Sequence, residues 1–92
     1  MTQDMTKEQK NSALLMSLIM NFQTGAMQAM GKIKNPVTDK IEFSLEQASM
    51  YIDMVDMLLE KTKGNLSTEE SGFVSKILAE LKMNYVNVKK NN

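Results

Sequence analysis

The chain contains no cysteine and no histidine, one proline, four glycines and aromatic residues at 5%. Without cysteine it can form no disulfide, no thiolate metal site and no thiol nucleophile. Without histidine it lacks the commonest general base and metal ligand at neutral pH. No catalytic, cofactor or metal site is therefore expected, and enzyme is the weakest functional class. Charge of one sign is missing as well, because eleven basic residues stand against eleven acidic ones and the formal net charge is zero. No overall field draws such a chain to nucleic acid or to an anionic membrane.

A long apolar run is also missing. Asn11 to Gly31 carries no charged residue, but Asn11, Ser12, Ser17, Asn21, Gln23, Thr24 and Gln28 interrupt it. A membrane-spanning helix needs about 20 predominantly apolar residues. A secretory leader is not expected either, since Asn21-Phe22-Gln23 after the apolar stretch Ala13 to Met20 suits no cleavage site. A buried helix of a cytoplasmic protein is the reading that remains.

What is present is helical patterning over 92 residues, enough for one domain near the lower end of independent stability. Thr6 with Gln9, Ser44 with Gln47 and Ser67 with Glu70 have the spacing of capping boxes, and Gly31 and Gly64 supply helix stops. These signals predict an all-α, three-helix antiparallel bundle or hairpin, with helices over about 7–30, 45–63 and 68–89. Asn91 and Asn92 are expected to fray. Pro36 confines 32–43 to a connection, with a short extended piece at Lys40 to Phe43 and no need for its ends to meet. The short turn after the second helix forces the third to run back beside it.

At about 100° per residue, Phe73, Val74, Ile77, Leu78, Leu81, Tyr85 and Val88 fall on a single face of the third helix. The other two helices each have two apolar faces. In the first, Leu15, Ile19, Phe22, Ala26 and Ala29 make one, and Met16, Met20, Met27 and Met30 make the other. In the second, Leu45, Ala48, Ile52, Val55 and Leu59 stand opposite Met50, Met54, Met57 and Leu58, with Tyr51 between. Gly25 would let another helix approach the first one closely. One chain can bury one face of each helix around a shared core, so a second copy is expected to cover the rest, a homodimer first among the possible oligomers. The candidate interaction surface is thus Met16, Met20, Met27, Met30, Met50, Met54, Met57 and Leu58. Methionine also suits surfaces that accept other proteins, so an adaptor groove for a partner's helix is the alternative, followed by peripheral membrane association through the first helix.

Two polar features invite chemistry and have simpler readings. The stripe Glu46, Asp53, Asp56 and Glu60 reads as a solvated face, and no calcium-loop or di-iron pattern accompanies it. Lys61 and Lys63 suit the C-terminal dipole of the second helix, while Glu69 and Glu70 occupy the N-terminus where an anion would bind. Between Glu60 and Glu70 only Thr62 and Asn65 have no structural task assigned by these signals.

Asn35-Pro36-x-Thr38, Leu45-x-x-Ala48, Ile52-Asp53, Lys61-Thr62-Lys63-Gly64-Asn65-Leu66, Glu70 and Leu81-Lys82-x-x-Tyr85-Val86 together resemble the bacterial family described as domain of unknown function 1844. The likeness covers about residues 12 to 88. The chain departs from that pattern at Asp39, Ser44 and Lys82, where glycine, asparagine and arginine are frequent. The resemblance implies a small bacterial cytosolic protein and brings no activity or catalytic residue with it.

Overall fold

A computed structural model of the chain describes residues 5–91. It contains three helices, α1 (Lys7–Ala29), α2 (Leu45–Lys61) and α3 (Thr68–Lys90), packed against one another as a bundle without strands among the described residues. Their ends follow from local chemistry. Thr6 Oγ1 accepts from the Gln9 N–H at 3.1 Å and Gln9 Oε1 accepts from the Thr6 N–H at 3.0 Å, which satisfies two of the donors that a helix start leaves free. Ser67 and Glu70 form the same reciprocal pair at the start of α3.

At the start of α2 only half of the pair forms. Ser44 Oγ accepts from the Gln47 N–H at 3.2 Å, but the Ser44 N–H donates to the Ala29 carbonyl at 2.8 Å and so has no need of the Gln47 side chain. That bond also brings the two ends of the connection together, where the sequence required no closure. Residues 40–43, expected as a short extended piece, form no strand. Instead Asn35 and Lys40 form an isolated antiparallel bridge, and the Asn35 side chain organises the turn. Its Oδ1 accepts from the Val37 N–H at 2.8 Å and its Nδ2 donates to Glu42 Oε1 at 3.0 Å, while the Thr38 hydroxyl reaches Glu42 Oε2 at 3.0 Å. Asp39 completes the turn with φ at +59°, in the left-handed region.

At the end of α2 the Thr62 hydroxyl donates to the Leu58 carbonyl at 2.6 Å, and Gly64 follows with φ at +87°. The Asn65 N–H then donates to the Thr62 carbonyl at 2.8 Å. Thr62 thus has a structural task that the sequence signals did not reveal. At the other end of α3, the Asn91 N–H donates to the Asn87 and Val88 carbonyls and caps the helix; Asn92 lies outside the described residues.

Ala29 beside Ser44 sets α1 and α2 antiparallel, the Asp56–Lys82 ion pair at 3.5 Å belongs to an antiparallel α2–α3 pair, and a hydrogen bond from Ser12 to Glu70 ties α1 to α3 in parallel. The buried core draws on all three helices: Ile19, Ala26, Ala29 and Met30 from α1 and its cap, Ala48, Ile52 and Val55 from α2, and Val74, Ile77, Leu78, Leu81 and Val88 from α3. Phe73, assigned to the core face of α3 by its spacing, stands 38% exposed at the margin. α1 packs on the hairpin of its own chain.

Candidate interaction surface

The two methionine stripes do not merge into one surface. Around α1, Gly25 faces the Tyr51 ring of α2, and Ser12 reaches α3 through Glu70. Met16, Met20 and Met27 lie about 40–80° beyond Ser12, so they border α3 rather than the α2 side. Met30 is buried, Met16 and Met27 pack against the core, and of the four only Met20 is exposed.

On α2 the geometry is reversed. Tyr51 marks the side that meets α1 and Asp56 the side that meets α3. Met50 and Met57 each stand about 100° outward from one of these markers, so they point away from both neighbours. Met50 is 54% and Met57 46% exposed, with Met54 and Leu58 half-buried beside them. Leu58 touches the core, whereas Met54 lies outside it.

Two residues that spacing alone left unassigned widen this face. Leu14 and Leu18 lie within about 20° of Gly25 around α1, hence on its α2 flank, and are 58% and 41% exposed. Their signal was an i, i+4 leucine pair off both apolar stripes, in line with the glycine. The outcome is an outward apolar patch along the α1–α2 pair, bounded by Lys7, Lys10 and Lys61 at one end and Glu46 at the other, all exposed.

The polar features take other positions. Of the carboxylate stripe of α2, Glu46, Asp53 and Glu60 are exposed as a solvated face requires, while Asp56 turns to α3 and pairs with Lys82. Among the described residues no three acidic side chains gather closely enough to hold a metal ion. Two clefts flank the Lys61-to-Leu66 turn. One, of about 270 Å³, runs between Asp56, Glu60 and Lys63 on one side and Ser71 and Ser75 on the other. The second, of about 730 Å³, is a wide opening between Gln9 and Ser12 of α1 and Asn65 and Leu66 of the turn.

Glu70 sits in the wider cleft, over the N-terminus of α3. Hydrogen bonds from the Ser12 hydroxyl and then from the Ser67 N–H hold its carboxyl below the usual glutamate range. The place an exogenous anion would occupy is thus filled by the chain's own carboxylate. Asn65 is exposed at the rim and its side chain meets no hydrogen-bond partner in the described residues.

Among the described residues no helix is long and apolar enough to cross a membrane. A family model described as "Domain of unknown function (DUF1844)" matches residues 12–87, which takes in α1 from Ser12, the Asn35 turn, α2, the Lys61-to-Leu66 turn and nearly all of α3. No curated protein and no solved structure matches the chain.

Proposed function

The chain belongs to the DUF1844 family, and we propose that it works as a self-associating helical interaction module, in the cytoplasm of a bacterium, whose contact surface is the outer face of α2 and the adjoining flank of α1. The observation that supports this reading is the contrast between the two methionine stripes. The stripe of α1 is largely absorbed by the core, but Met50 and Met57 remain in solvent together with Leu14 and Leu18. A contiguous apolar patch rimmed by charged residues marks a place where another surface docks. Methionine suits that task, because its unbranched thioether adapts to the shape it meets.

Size-exclusion chromatography with light scattering over a range of concentrations tests the reading. A species of twice 10.4 kDa or more is expected, and Met57→Lys should return it to a monomer while its helical circular dichroism is unchanged. A wild-type chain that stays monomeric at high concentration would sink the proposal and leave the patch to a different protein.

A further inference from the structure

Gln47, Met50, Met54, Met57 and Lys61 follow one another along α2 at intervals of 3, 4, 3 and 4 residues, the spacing of a coiled-coil seam. All five fall within about 80° of the helix surface, Met50, Met57 and Lys61 on the side turned away from both α1 and α3, and Gln47 at the edge of the stripe, where it lines a cleft with Gly25 and Gln28 of α1. The charges at the two ends of this seam are opposite. Glu46 and Lys61 are both exposed, and neither has an ion-pair partner among the described residues.

We infer that the occupant of this face is a second copy of the chain, docked with its α2 antiparallel to the first and the two-fold axis passing beside Met54. This rests on the self-association proposed above and specifies its geometry. Measured from Met54 at 1.5 Å per residue, Glu46 lies about 12 Å to one side and Lys61 about 10.5 Å to the other. The near equality makes the seam self-complementary. An antiparallel partner brings Met54 onto Met54 of the second copy, Met50 near Met57 and Leu58 of the second copy, and Lys61 within reach of Glu46 of the second copy, twice by symmetry. A parallel arrangement would stack Lys61 on lysine and Glu46 on glutamate, and like charges in register oppose pairing. The antiparallel contact is isologous and closes as a dimer, without leaving the same face free for further growth.

The absence of cysteine makes a clean test available. Met54→Cys introduces the sole thiol of the chain at the inferred axis. Mild oxidation should convert most of it to a covalent dimer on a non-reducing gel, while Met20→Cys and Met83→Cys, exposed but off the seam, should stay largely uncrosslinked. Independently, Lys61→Glu and Glu46→Lys should each weaken dimerisation by about fivefold or more, and the double reversal should restore it. If the wild type scatters as a monomer, self-association itself fails. A wild-type dimer in which Met20→Cys crosslinks and Met54→Cys does not, or in which the double reversal stays as weak as the single ones, keeps self-association and overturns the antiparallel seam.

Discussion

A Cβ built on Gly25 would stand 2.7 Å from Tyr51 Cζ and 2.8 Å from Cε1, so the Tyr51 ring of α2 occupies the space that any side chain at position 25 of α1 would need. The same ring makes a tilted contact with Phe22, with centroids 6.3 Å apart. In an unobstructed helix, glycine to alanine would gain about 1 kcal/mol. Here Gly25→Ala should instead lower stability by about 1–2 kcal/mol, because the ring must shift within a packed interface. Combined with Tyr51→Ala, the same substitution should become stabilising relative to Tyr51→Ala alone. Urea unfolding of the four chains would show this change of sign, and a gain from Gly25→Ala by itself would contradict the close approach.

Gly64 and Gly72 separate conformation from space, since a Cβ would meet nothing within 4 Å at either. Gly64 has φ at +87°, and Gly64→Ala should cost about 1–2 kcal/mol through the left-handed backbone alone. Gly72 lies within α3 at ordinary helical φ, and Gly72→Ala should raise stability by about 0.5–1 kcal/mol. Thermal melts of both variants check the opposite directions.

Leu81 is one of the four largest fully buried side chains, beside Ile19, Val55 and Val74. Leu81→Ala should cost about 2–5 kcal/mol, the range for truncating a packed core leucine. Met83, two residues on and exposed, should tolerate alanine within about 0.5 kcal/mol. Denaturant midpoints at equal slope would measure the difference, and near-equal costs would place the core elsewhere.

The lowered pKa of Glu70 makes folding sensitive to acid. A carboxyl whose folded value lies below its unfolded one contributes stability that is fully present above about pH 4.3 and is lost as the pH falls through the folded value. Ser12→Ala removes the largest cause and should raise the Glu70 pKa toward the unfolded value, as read by NMR titration of its side-chain carboxyl. Glu70→Gln should flatten the acid limb of the stability profile. An unchanged titration in Ser12→Ala would mean that the Ser12–Glu70 bond does not hold in solution.

Much of the bundle was legible because its signals are local. Thr6 with Gln9 and Ser67 with Glu70 act over three residues, and the core faces of α1 and α2 follow from the helical period. Ser44 shows where such signals stop, since its N–H is taken by Ala29, fifteen positions earlier, and no local pattern encodes that competition. The same limit applied to the candidate surface. Two methionine stripes look equivalent on helical wheels, yet the placement of α3 against Ser12 and Asp56 turned one stripe inward and left the other outside. Leu14 and Leu18 gained their place only once Tyr51 was seen over Gly25.

The bond from Ser44 to Ala29 has a consequence for how the chain can vary. Because the connection between α1 and α2 leaves and re-enters the bundle at one point, it hangs there like a handle whose length is uncoupled from the helices it joins. Lengthening a loop whose ends are already pinned costs only about 0.6 kcal/mol per doubling. The turn built on Asn35 and Glu42 is thus a separate cassette, open to exchange or insertion while α1, α2 and the seam on its outer face keep their register.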